Sequence, residues 1–253
     1  MTNEDQFTES GDKTDETRRQ FLAGSAASVT LASLATLSST DLRAQSLRDS
    51  ALSIRPFADS HELVPLPFDS SKLDGLSARL IDSHWSNNYG GSVRALNETN
   101  KRLAAVLSDP DLPAYIYNGL KREHLMRTGS VILHELYFEN LGGSGKPDSG
   151  TRNFIGSAFG SFDRWETEFR RIAMGLGGGS GWVVLAYNRH FQTIENYWMA
   201  DHMHSPAAAV PLLVMDMYEH SYQMDYGAAT ARYVDAFFAN IHWENVAGRI
   251  DSI

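Results

Sequence analysis

The chain has 253 residues, of which 42% are hydrophobic and 21% are charged, a composition ordinary for a globular protein. It contains no cysteine, which excludes disulfides and also excludes zinc and iron–sulfur sites built on thiolates. Its formal net charge is −9, and because nucleic-acid binding requires a basic face, we expect no nucleic-acid partner.

The first 44 residues indicate an export signal. Residues 17–22, TRRQFL, are typical of the twin-arginine type, a weakly apolar run follows over 22–37, and residues 42–44, LRA, offer a small-residue cleavage site. A membrane anchor is the alternative, but the run is shorter and more polar than the roughly 20 apolar residues that a spanning helix needs. We therefore predict a signal peptide at 1–44 and a periplasmic or exported protein without a stable membrane anchor. Removal of the signal peptide leaves a chain with a net charge of −6.

The N-terminal half of the remaining chain predicts helices. Residues 45–65 are polar and proline-containing, which favours an extended arm. From Ser77, a suitable N-cap, apolar residues recur at helical spacing, and a kink or bulge is predicted at Gly90-Gly91. A second helix is predicted over 120–141, ending at a glycine-rich loop. Together these elements predict a helical hairpin domain over 66–145.

The C-terminal half, 146–253, predicts a mixed domain. An amphipathic helix is predicted over 162–176, and strands over 182–187, 191–198 and 210–215, the first two joined by a hairpin. A last helix is predicted over 233–246. Helices followed by a small three-stranded antiparallel sheet with further helices are typical of the α+β class.

Residues 216–222, DMYEHSY, place an aspartate and a histidine four positions apart. A carboxylate oxygen and an imidazole nitrogen at short spacing are common ligands of a redox-capable divalent metal. The pattern alone fits a solvent-exposed helix face better than a metal site, because such pairs occur by chance in acidic chains. Taken singly, His84 and His134 are likewise more typical of ordinary helix-face histidines.

Several strings, in a fixed order, resemble one known family. Residues 211–222 resemble the signature Asp-x-Trp-Glu-His-Ala-Tyr of the iron/manganese superoxide dismutases, and residues 233–247 resemble the family's closing helix with its Asn-Trp-Glu-Asn-Val-Ala ending. Shorter strings resemble the family further upstream: 66–68 (LPF), 76–84, 159–162 (FGSF) and 179–182 (GSGW). The resemblance runs from about residue 66 to residue 249.

The resemblance implies a site for one manganese or iron ion per chain, held by His84, His134, Asp216 and His220. Three imidazoles and one carboxylate suit these metals better than copper(I). It also implies an enzyme whose small-molecule substrate is superoxide, which it converts to oxygen and hydrogen peroxide. The alternative is a superoxide-dismutase-like metal-binding protein with low or different redox activity.

The resemblance also implies the surroundings of the metal. Aromatic side chains would form an apolar wall, although plain core packing predicts the same burial: Trp182, Tyr218 and Trp243. The family orients its metal-bound solvent with a glutamine or a histidine. The position four residues before the second histidine ligand is Ser130, which is too short to reach. The loop after the second strand offers His202, with His204 as a second candidate, and an exposed loop histidine as the alternative.

Other positions depart from the family. Where it carries ionisable or phenolic groups in its access funnel, this chain has neutral residues: Asn87, Asn88, Ser92, Gln223 and Thr230. Loss of cations predicts weaker steering of an anionic substrate, and loss of the phenol and imidazole predicts weaker proton delivery. Glu219 is kept, and in the family it crosses the dimer interface to the last histidine ligand of the partner, so we expect a homodimer. The choice between manganese and iron, and between dimer and tetramer, stays open.

Overall fold

The computed structural model describes residues 55–253. The predicted signal peptide and the first ten residues of the predicted arm lie outside this range. The remainder of the arm begins with one helical turn, Arg55–Ala58 (α1), after which residues 59–69 carry no helix or strand. Within the described range, no helix is both long and apolar enough to cross a membrane.

The first long helical segment changes its winding in the middle. Helix α2 (Ala78–Ser83) leads into a π-helix (His84–Tyr89) and then into α3 (Gly90–Val106). The Ser77 side chain accepts a hydrogen bond from the Leu80 amide at 3.1 Å, which confirms the predicted N-cap. The predicted irregularity is present, but it lies just before the two glycines, as a widened turn.

The second long helix, α4 (Ala114–Glu139), packs against α3. It begins at Ala114 rather than at residue 120 because Pro113 precedes it, and proline is well accommodated at a helix start, where no amide donor is required. Helix α5 (Ser149–Phe159) was not predicted. The Asp148 side chain caps it by accepting from the Thr151 amide at 3.0 Å, but the helix itself is short and rich in small polar residues.

Helix α6 (Phe162–Leu176) has the predicted bounds and leads into the sheet. Strands β1 (Trp182–Asn188), β2 (Thr193–Met199) and β3 (Ala209–Asp216) pair in the order β2-β1-β3, both pairs antiparallel. The α+β prediction with a three-stranded antiparallel sheet is confirmed.

The prediction of one closing helix over 233–246 is wrong. After a 3₁₀ turn (Glu219–Ser221) and the short α7 (Gln223–Tyr226), the chain forms two helices, α8 (Thr230–Ala239) and α9 (Trp243–Ile250). The break has a local cause. The Asn240 side chain donates to the carbonyls of Asp74 and Ala236, each at 2.7 Å, and so competes with continued helical hydrogen bonding.

The buried apolar side chains form a core that extends from Leu73 to Val246 and includes both helical layers and the sheet. Strand β1 lies in its centre, with almost every side chain buried. The core is continuous across residue 145, and the proposed division into 66–145 and 146–253 stays a prediction.

Candidate metal centre

Four separate elements bring the predicted ligand residues together. His84 is the first residue of the π-helix, His134 lies in α4, Asp216 ends β3 and His220 lies in the 3₁₀ turn. One nitrogen or carboxylate oxygen from each lies within 4.8 Å of the corresponding atom of the other three. The first three side chains are buried, and His220 is 24% exposed.

Asp216 is the fixed centre of this group. Its Oδ1 accepts a hydrogen bond from the Tyr218 amide at 2.8 Å, and its carbonyl accepts from the Tyr233 hydroxyl at 2.6 Å and from Ser221 Oγ at 3.0 Å. These contacts leave Oδ2 facing the three imidazoles. Its distances to their Nε2 atoms are 3.1 Å for His84, 3.7 Å for His134 and 3.1 Å for His220.

The imidazole nitrogens of this group have few partners of their own. Both ring nitrogens of His84 and the Nε2 of His134 are buried without a hydrogen bond to any described residue. His84 Nε2 lies close to the carboxylate, but the geometry is not that of a hydrogen bond. A buried polar atom without a partner costs about 1–3 kcal/mol. Because lone pairs on such nitrogens are what a divalent metal takes up, the donor set fits a bound iron or manganese ion.

The protonation states also suit metal binding. Burial lowers the pKa of His134 to about 3 and lowers the pKa of His84. Burial alone would raise the pKa of Asp216, but the charge and hydrogen bond of His220, with the His84 ring close by, outweigh it and hold that pKa well below its ordinary value. The group therefore consists of a carboxylate with neutral buried imidazoles, which are the forms that bind metals.

The tautomer of His134 is set by its own helix. Its Nδ1 donates to the Ser130 carbonyl at 2.7 Å, so the lone pair of the neutral ring is on Nε2, on the Asp216 side. Ser130 Oγ lies 3.2 Å from the same Nδ1 and 2.7 Å from Ser92 Oγ. The serine that is too short to reach the metal thus lies behind a ligand.

Two of the three predicted wall residues lie at the site. The Trp182 ring packs edge-on against His134, with ring centres 5.2 Å apart, and the Tyr218 ring stacks on His220 at 5.2 Å. The prediction that Trp243 belongs to this wall is wrong, because the residue packs elsewhere. Its ring packs against Phe162 and Trp165, each at 5.6 Å, in an aromatic cluster between α6 and α9. Burial of Trp243 therefore reflects core packing.

The structure separates the two loop histidines. His202 Nδ1 accepts a hydrogen bond from Trp182 Nε1 at 3.0 Å, and its ring stacks on Tyr218 at 4.7 Å. Burial lowers the pKa of His202, so the ring is neutral with its proton on Nε2. His204 is more than half exposed, pairs with Asp201 and packs against Trp198, away from the ligands.

A glycine in α4 allows the His202 loop to lie close to the ligands. A Cβ atom at Gly129 would come within 1.8 Å of the His202 carbonyl oxygen, a backbone atom that cannot rotate away. Glycine costs about 1 kcal/mol relative to alanine inside a helix. Here it permits direct contact between α4 and the loop, a role that helical periodicity did not predict.

An open cavity of about 400 Å³ leads to the ligands His134 and His220 and to His202. Of the predicted funnel positions, Asn87, Asn88 and Ser92 line it. Gln223 and Thr230 are absent from its lining, and Thr230 is buried.

The cavity lining also includes one charged residue that the sequence analysis missed, Arg127. It lies seven positions before His134 and three before Ser130 on α4. Residues at these spacings share a helix face, and this spacing was the available signal.

The fold and the site together define an α+β protein with a mononuclear three-histidine, one-aspartate metal centre. Residues 147–249 match the family described as iron/manganese superoxide dismutases, C-terminal domain. The chain is similar to a protein named superoxide dismutase [Fe] from Cupriavidus metallidurans, 49% identical over 189 residues, which cover 75% of this chain and 95% of that one.

Among more distant relatives, some are named for iron and others for manganese. Superoxide dismutase [Fe] from Saccharolobus solfataricus is 31% identical over 191 residues, or 73% of this chain and 90% of that one. Superoxide dismutase [Mn] 1 from Halobacterium salinarum is 29% identical over 195 residues, or 76% and 95% respectively. The chain belongs to the iron/manganese superoxide dismutase family.

Proposed function

We propose that the protein is a superoxide dismutase in which His84, His134, Asp216 and His220 bind one iron or manganese ion. The observation that carries this proposal is the set of buried imidazole nitrogens without hydrogen bonds around the Asp216 carboxylate, at the end of an open cavity. Membership of the family supplies the reaction, and the names of its members include both metals.

A bound ion that alternates between the +2 and +3 states supplies the one-electron chemistry. In each cycle one superoxide is oxidised to oxygen, and a second superoxide is reduced and takes up two protons to give hydrogen peroxide. The protein's part is to hold charge and deliver protons. The Asp216 carboxylate offsets part of the positive charge, and the neutral imidazoles of His84 and His134 add none.

Two residues support proton delivery, and a third shields the site from water. His202 is held by Trp182 with its Nε2 proton free to be donated into the cavity. Burial raises the pKa of Tyr218 to about 12, so its phenol stays protonated and remains a hydrogen-bond donor near neutral pH. Trp182, fully buried against His134, excludes water from that side of the site.

Metal analysis combined with an activity assay tests the proposal. The purified protein should carry about one iron or manganese per chain and should consume superoxide, and Asp216→Ala should lose both. Asp82→Ala is the matched control, because this exposed carboxylate lies two residues from His84 and faces solvent. Full metal occupancy in Asp216→Ala would contradict the assignment of Asp216 as a ligand.

A metal-binding protein with low or different redox activity is the second candidate. The neutral Asn87, Asn88 and Ser92 at the cavity favour it, since they supply neither a permanent charge nor an acidic proton. Turnover per bound metal separates the two candidates. A value within the range of the iron-named and manganese-named relatives, measured side by side, supports dismutation, whereas a value near that of the free ion supports the alternative.

We also propose a homodimer, in which Glu219 accepts a hydrogen bond from the partner subunit's His220. Glu219 is exposed and its carboxylate has no hydrogen bond among the described residues. His220 directs Nε2 to Asp216, which leaves Nδ1 for such a partner. Loss of such an outer carboxylate typically costs about 10–100-fold in metal affinity or activity. Glu219→Ala should weaken metal binding and dimerisation together in sedimentation and metal titration. Equal weakening by the exposed-residue control Glu244→Ala would contradict this role.

Export through the twin-arginine pathway is a further part of the proposal, supported by residues 17–22 of the sequence. This pathway would carry a protein that has already folded around its metal. Changing both Arg18 and Arg19 to lysine should trap the precursor inside the cell, as measured by fractionation. The control changes the exposed Arg122 and Arg171 to lysine. Unchanged secretion of the first variant would refute the signal.

A further inference from the structure

Arg127 is the one permanently charged side chain among the described residues that line the metal-site cavity. Its neighbours there are neutral or are the ligands and aromatic residues of the site. The side chain is 32% exposed, so it is accessible from solvent while resting against the cavity wall. Its position on α4, the helix that carries His134, fixes its placement relative to the site.

The guanidinium is only partly neutralised. Glu123, one turn earlier on α4, accepts a hydrogen bond from Arg127 Nε at 2.6 Å. Neither terminal nitrogen of Arg127 makes a hydrogen bond within the part of the chain that the structure describes. Because a guanidinium carries five N–H donors, four of them remain for water or an anion.

We infer that Arg127 attracts small anions, superoxide among them, into the cavity and toward the metal site. This inference rests on the proposed function for its substrate but not for its geometry. The seven-residue separation from His134 corresponds to roughly 10 Å along the helix axis. That distance is comparable to the Debye length of about 10 Å at 0.1 M salt, so the attraction acts across the cavity and weakens as salt is added.

Arg127 compensates for the neutral side chains at the cavity rim. Asn87, Asn88 and Ser92 stand where the resemblance implies ionisable or phenolic groups, and Arg127, on a different helix, supplies a cation at the same cavity. Glu123 would then regulate the strength of the field, since it holds one side of the guanidinium.

The experiment compares metal-loaded Arg127→Gln with wild type. The second-order rate constant for superoxide loss and the dissociation constant for azide, a small anionic probe, are measured from about 0.01 M to about 0.3 M ionic strength. At low salt we expect the rate constant and the azide affinity each to fall about two- to fivefold, and the salt dependence to flatten. Arg127→Lys, which keeps the charge, should restore most of both.

Arg122→Gln is the matched control, because it removes the same charge from an exposed position five residues earlier on α4, on another face of the helix. If Arg127→Gln and Arg122→Gln share one salt dependence and one azide affinity, the inference is overturned. If wild type binds azide at its metal but does not consume superoxide, the proposed function fails, while the azide comparison still decides the role of Arg127.

Glu123→Gln provides a second test that leaves Arg127 in place. Release of the guanidinium from its partner should raise the rate constant and the azide affinity at low salt by about twofold. Should Arg127→Gln lower metal content, this variant decides the matter: an increase supports the inference and no change overturns it.

Discussion

The ligand cluster and the cavity rim differ in how firmly the fold holds them. His84, His134 and Asp216 are at most 1% exposed and lie inside the core, with Asp216 fixed by three hydrogen bonds. Asn87 and Arg127, at the rim, reach solvent and bond only to neighbours one helical turn away. Ligand positions are thus determined by packing that the whole fold shares, whereas rim residues can change without disturbing the metal site.

The strongest test of the comparison removes a ligand. His84→Ala should lower metal affinity by more than about 100-fold, because one of four donors is lost and the buried carboxylate loses a neighbour. Metal content after dialysis against a chelator measures the effect. His190→Ala, an exposed hairpin histidine, should keep its metal. Retention of metal by His84→Ala would show that His84 is not a metal ligand.

Removing His202 should separate chemistry from metal binding. His202→Ala should lower turnover by about 100-fold, the lower range for loss of a general acid, while metal content stays near that of wild type. His204→Ala, in the same loop but away from the ligands, should change neither. Full activity per metal in His202→Ala would show that this histidine is only a loop residue.

Lowering the pH should destabilise the metal-free protein through the buried histidines of the ligand cluster. His84 and His134 have lowered pKa values in the folded chain, so below about pH 6.5 the unfolded chain binds protons that the fold does not. The free energy of unfolding of the metal-free protein should then fall as pH falls from about 6.5 toward 3, by up to about 1.4 kcal/mol per unit for each histidine.

Denaturant unfolding at a series of pH values measures this slope. His134→Gln removes one of the two titrating histidines. In the metal-free protein it should reduce the slope of the unfolding free energy against pH by up to about 1.4 kcal/mol per pH unit. A flat profile between pH 7 and pH 5 would be inconsistent with neutral buried imidazoles. Asp216 adds a loss of the same sign at lower pH, because its pKa in the fold also lies below the ordinary value.

The smallest effect is expected at the rim. Asn87 bonds only to Ser83 Oγ, at 3.3 Å, and is exposed. Asn87→Ala should change turnover by less than about twofold. It should change the free energy of unfolding by less than about 0.5 kcal/mol, as is usual for surface substitutions. A tenfold loss of turnover at full metal occupancy would show that the rim takes part in the reaction.

Sequence patterns predicted the strongly periodic elements and the four ligand residues, but for different reasons. Helix α6 and the three strands follow from local periodicity. The ligands come from four distant elements, and only the ordered family strings connected them, since spacing alone favoured an exposed face. Helix α5 was missed because its small polar residues carry a weak apolar pattern.

The remaining features depend on tertiary contacts that no local pattern records. The break at Asn240 requires knowing that Asp74 lies beside it. The role of Gly129 requires knowing where the His202 backbone passes. Arg127 shares a helix face with His134, but that this face borders a cavity and not the core follows only from the packing of α3 against α4.

The widened turn at His84–Tyr89 makes chain length at this point adjustable by one residue. Each residue of an α-helix turns the chain by about 100°, and a residue of a π-helix turns it less, because its hydrogen bonds span five residues instead of four. Six residues of widened turn therefore cover about the same rotation as five residues of regular helix. Deleting one residue after His84 within this segment would restore regular winding and leave α2 and His84 close to their present orientation relative to α3. Across descendants of this sequence, single-residue gaps should therefore occur at these positions as well as in surface loops.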